Sequence, residues 1–207
     1  MEPCSALEKW HVVAIEGIDG SGKTAVAEQT VELLRAWGAP AILAGEKQSP
    51  LAHVLRDESL ATMTPIVKTL VFAADRAWTL AAKVPKSSRD GALIVWDRYV
   101  ASALVYREAE LPYSSDGLTL QYVETVNAIF PRPDLTVLLS LDVEQARART
   151  RERATVYDAA FLRKVSALYQ ARAAREGWIT IDGAPPVGQV AGEVAAQIRA
   201  SFKEFFS

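Results

Sequence analysis

The sequence predicts an α/β protein in which a five-stranded parallel sheet lies between two layers of helices. Three observations predict it. Short apolar runs alternate with longer stretches of helical periodicity along the 207 residues. The apolar runs carry no polar alternation, as strands covered on both faces require. The first run leads straight into a glycine-rich loop and then a helical stripe, the order that right-handed crossovers of a three-layer α/β/α domain need.

Taken in order, residues 11–15 (His-Val-Val-Ala-Ile) form the first strand. Residues 23–37 form a helix with Val26, Thr30, Leu33, Leu34 and Trp37 on one stripe, stopped by Gly38. Residues 40–44 are the second strand. Residues 63–84 are a long apolar helix with Pro65 in its first turn, where a missing N–H is tolerated. Residues 92–96 (Ala-Leu-Ile-Val-Trp) are the third strand, and 117–130 a helix ending before Pro131. Residues 135–141 are the fourth strand. Asp142 caps the next helix, with Gln145 three residues on. Residues 157–175 are helical, 178–181 form the fifth strand, and 187–206 the closing helix, apolar at Val187, Val190, Val194, Ile198, Phe202 and Phe205. No repeat, low-complexity stretch or linker interrupts this series, so 1–207 reads as one domain. Ligands are expected at the carboxyl ends of the strands.

Composition narrows the function classes. A net charge of −2 offers no general attraction to nucleic acid or an anionic membrane. No apolar run approaches the ~20 residues of a membrane helix. The single cysteine, Cys4, cannot form an internal disulfide, and residues 1–9 lack the charged-then-apolar layout of a leader. The expectation is a cytoplasmic protein without nucleic-acid or membrane partners. His11 and His53 have no metal-ligand spacing, and Trp10, Trp37, Trp78, Trp96 and Trp178 read as packing residues.

Gly17-Ile18-Asp19-Gly20-Ser21-Gly22-Lys23-Thr24 fits G-x-x-x-x-G-K-[ST] at every fixed position, between a strand and a helix. Glycines let backbone N–H groups converge on phosphate oxygens, and the following helix adds its N-terminal dipole. Lys23 supplies charge to the outer phosphates and Thr24 a hydroxyl for Mg²⁺. This P-loop occurs in GTPases, ATPases and kinases alike, so it does not name the reaction.

Further motifs narrow it. Residues 15–24, Phe72-Ala73-Ala74-Asp75-Arg76, Asp97-Arg98-Tyr99-Val100-Ala101-Ser102, and Pro133-Asp134-Leu135-Thr136 leading to Leu141-Asp142-Val143 together resemble the thymidylate kinase family. The matches run in the family's order over most of the chain. The resemblance implies phosphoryl transfer from ATP, with Mg²⁺, to a nucleoside monophosphate, dTMP above all, by a homodimer. It implies that Gly17, Asp19, Gly20, Ser21, Gly22, Lys23 and Thr24 bind ATP, and that Thr24 and Asp97 hold the metal. Arg98 would address the acceptor phosphate and the charge developing in transfer. Asp19 would lie near the acceptor sugar, Phe72 would stack on the base, Arg76 would bond its edge, Tyr106 would crowd the 2′ position, and Ser102 and Arg56 would complete the acceptor site. A lid, about residues 147–157, would bring Arg149, Arg151 or Arg153 to the ATP phosphates, since Ser21 leaves the loop without a basic side chain of its own there. Alternate residues on a helix spread around it, so Arg147, Arg149, Arg151 and Arg153 cannot all face one ligand. The segments Val67, Leu70, Val71 and Ala103, Leu104 are candidates for the dimer surface.

Two departures touch the acceptor side. Where the family often has R-E-P-G-G-T, residues 44–50 read Ala-Gly-Glu-Lys-Gln-Ser-Pro, one residue short, and Arg107 replaces the usual glutamine after Tyr106. They leave open a paralogue with another nucleotide or nucleoside acceptor, for which Asp19 or Glu16 could act as base, and a noncatalytic nucleotide-binding protein. A GTPase would need N/T-K-x-D, which is absent.

Overall fold

Each strand leaves the sheet into a helix that returns over one face, so all neighbouring strands pair in parallel. A computed structural model describes residues 10–55, 57–83, 91–113, 115–150 and 157–206. In chain order the elements are β1 (Trp10–Glu16), α1 (Lys23–Ala36), β2 (Ala41–Gly45), α2 (Asp57–Thr62), α3 (Pro65–Lys83), β3 (Ala92–Asp97), α4 (Val100–Glu110), α5 (Leu120–Asn127), β4 (Leu135–Ser140), α6 (Val143–Arg149), α7 (Ala159–Glu176), β5 (Ile179–Asp182) and α8 (Val187–Ser201). The sheet order is β2-β3-β1-β4-β5. The three-layer α/β/α arrangement expected from the sequence is therefore present.

The uniformly apolar strands do have two faces. Val13, Ile15, Leu93, Val95, Val137, Leu139 and Ile181 pack against α1 and α8. Ile94 and Trp96 meet Ala73 of α3 on the other face, and Leu138 meets Val105, Val165 and Tyr169 of α4 and α7. Both faces being covered, period-two alternation vanishes from the sequence.

Register fixes the site. β1 lies between β3 and β4, and Ile15 pairs with Asp97 while Glu16 pairs with Leu138. Gly45 of β2 also pairs with Asp97. The ends of three strands thus converge beside the glycine loop, at the point where the strand order diverges around β1.

Several expectations are corrected. The helix α4, unmarked in the sequence pattern, spans 11 residues and buries Ser102, Arg107 and Glu110 along with Val105 and Tyr106. Polar residues turned inward erase the amphipathic stripe by which a surface helix is recognised. The closing helix stops at Ser201 rather than 206, with a short 3₁₀ turn over Lys203–Phe205 after it. Trp37, read as a packing residue, is 37% exposed but lies against Phe206 and Arg199, whereas Trp78 is 43% exposed. Among the described residues, no helix is long and apolar enough to cross a membrane.

Candidate functional site

The glycine loop fits here only because its glycines lack side chains. Gly20 has φ 84°, and a Cβ on it would lie 2.2 Å from the carbonyl oxygen of Ala146 in α6. Gly17 has φ 150°, and its Cβ would meet the Leu139 carbonyl at 2.7 Å. The loop is pressed between β4 and α6. Gly22 is the left-handed N-cap of α1, and no side chain caps that helix. Its first amides remain available to an anion.

Lys23 is 5% exposed, and its ammonium donates to the Ile18 carbonyl at 2.6 Å and to Ser21 Oγ at 3.2 Å. Burial, then repulsion from Arg98, lowers its pKa to about 8, against the pull of Asp19, Asp97 and Glu16. Thr24 Oγ1 donates to Asp97 Oδ2 at 2.6 Å, which joins the end of β3 to the start of α1. The other carboxylate oxygen, Asp97 Oδ1, is buried without a hydrogen-bond partner. A hydroxyl and a carboxylate with a spare oxygen form a hard donor set that fits Mg²⁺, an ion that usually keeps few protein ligands. Among the described residues, no cluster of three or more His, Cys, Asp or Glu side chains could hold a metal on its own.

Arg98 follows Asp97 and has φ 63°, a left-handed conformation rare outside glycine. Its guanidinium forms an ion pair with Asp19, reaches the Gly17 carbonyl at 3.5 Å and Ser102 Oγ at 3.4 Å, and lies 5.5 Å from the centre of the Tyr106 ring. The Tyr106 hydroxyl donates to Asp19 at 3.2 Å. Burial works to raise the Asp19 pKa, but Arg98 and Lys23 outweigh it and leave the carboxyl below its ordinary value. Arg98, Asp19 and Tyr106 therefore form one cluster on the phosphate loop.

Other expected residues sit differently. Ser102 is 4% exposed and gives its hydroxyl to Glu16 Oε2 at 2.6 Å, so it meets the site only through Arg98. Arg76 is 1% exposed. Its guanidinium donates to Asn127 Oδ1 at 2.7 Å and the Tyr99 carbonyl at 3.2 Å, and it approaches Glu46 at 3.5 Å, between the rings of Tyr99 and Phe130. Phe72, one turn away, is half-buried. Arg149 donates to the carbonyls of Gly183 and Ala184 at 2.8 and 2.9 Å, bridging α6 to the loop after β5 beside Gly22. Arg56, Arg151 and Arg153 lie outside the described residues, as does Cys4.

Both departures find partners. Asp75 is fully buried and accepts from the backbone amides of Lys47 at 2.8 Å and Ser49 at 3.1 Å, which pins the short loop to α3. Arg107 is 4% exposed and pairs with Glu110 at 2.9 Å, where Lys68 and Tyr157 also bond. It shares that one carboxylate with Lys68, and its Nε and Nη1 are buried without a hydrogen-bond partner. Glu46, raised to about 7 by burial against the opposing fields of Arg98 and Arg76, was missed in the sequence, as were Asn127 and Tyr169. Glu46 sits within the 44–50 loop, which was read only for its departures; the other two lie in ordinary helical stretches with no motif.

This arrangement can cradle a polyphosphate, hold a hard divalent ion at Thr24 and Asp97, and aim a second cation, Arg98, across the same loop. The thymidylate kinase family model matches residues 15–194. The "Probable thymidylate kinase" of Pyrobaculum calidifontis is 35% identical over 193 residues, covering 90% of this chain and 94% of that protein. Its namesake from Pyrobaculum aerophilum is 36% identical over 194 residues, with 90% and 95% covered. That of Pyrococcus horikoshii is 34% identical over 154 residues, with 70% and 72% covered.

Proposed function

The chain belongs to the thymidylate kinase family, and on that premise we propose that it transfers the γ-phosphate of ATP to dTMP, giving ADP and dTDP. The carrying observation is that one loop serves two cations: Lys23 rests on it, and Arg98 is bonded to its Gly17 carbonyl and paired with its Asp19. Two phosphate groups of separate nucleotides can then meet over that loop.

The acceptor oxygen of a monophosphate is already anionic, so no strong base is needed. Alignment and charge neutralisation carry the reaction. The α1 amides and Lys23 hold the donor phosphates, Lys23 swinging from the Ile18 carbonyl onto phosphate oxygen. Arg98 exchanges Asp19 for the acceptor phosphate. Thr24 and Asp97 would hold Mg²⁺, which neutralises charge on the donor phosphates when bound. Phe72 and Arg76 belong to the base side of the acceptor site, Tyr106 to the sugar side, and the described lid residue Arg149 to the donor side.

A nucleoside acceptor would need a base to take its hydroxyl proton. Glu16 is fully buried and already accepts from two amides and two hydroxyls. Asp19 is held below the usual carboxylate range. Both observations favour a monophosphate acceptor. The single cysteine fits the cytoplasm, and dimerisation belongs to the same reading. Val67 and Leu70 of α3 are 40% and 46% exposed and share a face with Trp78, whereas Ala103 is buried. The test is ADP release with each common nucleoside monophosphate and with thymidine. dTMP should be the best acceptor; turnover with thymidine alone would reject the assignment.

A further inference from the structure

Glu16 is fully buried at the last position of β1, directly before the glycine loop. Nothing in the phosphoryl-transfer scheme above uses it. Its Oε1 accepts from the Tyr99 amide at 2.9 Å and the Ser102 amide at 3.3 Å. Its Oε2 accepts from Ser102 Oγ at 2.6 Å and the Tyr169 hydroxyl at 3.1 Å, and those two hydroxyls bond each other at 2.7 Å. A buried carboxylate is costly to desolvate unless fully bonded, and an apolar residue there would often serve stability as well. Three of the four donors belong to Tyr99, the residue after Arg98, and to Ser102 in the first turn of α4.

Tyr99 is the N-cap of α4, and its own side chain caps nothing. Glu16 supplies that cap from another element, with a negative charge at the positive end of the helix. On its other side, the Arg98 amide donates to the Ile15 carbonyl at 3.1 Å. Consecutive residues of β1 therefore clamp the backbone before and after Arg98 and hold it at φ 63°, where a side-chain-bearing residue does not stay unaided. The next residue of the same strand exit, Gly17, receives the Arg98 guanidinium.

We infer that Glu16 is a positioning residue: by capping α4 from β1 it holds Arg98 in its left-handed conformation and locks that guanidinium in register with the phosphate loop. The inference rests on Arg98 acting at the transferring group. Without Glu16, Arg98 relaxes toward ordinary φ, and its guanidinium leaves the line between donor and acceptor.

The test is a double-mutant cycle on the full chain, read as kcat and KM for ATP and dTMP. Glu16→Ala should lower kcat by about a hundredfold, the size of loss that follows a misplacement of ~1 Å in a catalytic group. The KM for ATP should stay within about twofold, because the loop amides and Lys23 remain. In an Arg98→Ala background the same substitution should cost almost nothing further. Tyr169→Phe, which keeps the ring in the core and removes one donor, should lower kcat about fivefold and likewise lose its effect once Arg98 is gone. It provides the reading if Glu16→Ala does not fold. Losses that multiply in the Arg98→Ala background, or normal kcat in both single variants, overturn the inference. Near-normal turnover of Arg98→Ala itself would instead overturn the role of Arg98, so the two failures are distinguishable.

Discussion

Replacing Lys23 by methionine should abolish turnover and yet make the unliganded protein more stable. The ammonium is 5% exposed and satisfied only by the Ile18 carbonyl and Ser21 Oγ. Burial and Arg98 bring its pKa from 10.5 to about 8. At about 1.4 kcal/mol per pKa unit, the folded protein is penalised by on the order of 3 kcal/mol for keeping this charge at neutral pH. Methionine removes that penalty and forfeits two hydrogen bonds worth about 1 kcal/mol each, leaving a net gain of about 1 kcal/mol. For a chain of this size that raises Tm by about 2–4 °C. The pH dependence follows from the same shift. Below about 8 both folded and unfolded chains carry the charged lysine, and the penalty is complete. Between 8 and 10.5 the folded chain sheds the proton first, so the wild type gains stability as pH rises and the advantage of the variant shrinks. The assay is thermal unfolding of both proteins without nucleotide at pH 7 and pH 10. A lower Tm for Lys23→Met at pH 7, or a gap that widens by pH 10, refutes the reasoning.

Three further outcomes are expected. Asp97→Asn should raise the Mg²⁺ concentration for half-maximal rate by about 10–100-fold, measured by titrating Mg²⁺ at saturating nucleotides, because it weakens the Thr24–Asp97 donor pair; an unchanged requirement would place the metal elsewhere. Arg149→Ala should raise the KM for ATP by about tenfold and leave that for dTMP alone, since two charged hydrogen bonds that brace the 183–184 loop beside Gly22 are lost; an effect on dTMP only would move Arg149 to the acceptor. For the proposed homodimer, Leu70→Glu should give a monomer in sedimentation velocity, because it places charge at the centre of the exposed α3 stripe; a dimer surviving that change would use another face.

What the sequence revealed depended on how local the constraint was. The phosphate loop is legible because its backbone conformation and the closeness of Ala146 and Leu139 exclude side chains at Gly20 and Gly17 themselves. The strands are legible because burial on both faces leaves runs such as residues 92–96 without polar interruption. α4 was not, because its inward polar residues are satisfied by partners far away in sequence: Ser102 by Glu16 and Tyr169, Glu110 by Lys68. Arg76 was read as a contact to the base edge, and only the fold shows it enclosed by Asn127, Tyr99 and Glu46. The anchoring of the short 44–50 loop is not legible either, because its amides are taken by Asp75, 26 and 28 residues away.

These partners share a logic that bears on how the site works. Each cation has a resting partner within the protein: Lys23 a carbonyl and a hydroxyl, Arg98 the Asp19 carboxylate, Arg76 the Asn127 amide oxygen and Glu46, Arg149 two carbonyls. A site built to grip two phosphate groups would otherwise confront several buried positive charges with one another, as the mutual repulsion of Lys23 and Arg98 records. In the proposed reaction, phosphate oxygens would take the place of the partners of Lys23 and Arg98, so that binding reorients these two side chains without burying additional unpaired charge. The exchange also differs between the two ends. Lys23 gives up neutral partners for anionic oxygen and gains on donor binding, while Arg98 gives up one anion for another and gains little in the ground state. On the proposed role of Arg98, its surplus would be realised when charge shifts onto the transferring group, which is where a catalytic arginine lowers the barrier instead of merely tightening the complex.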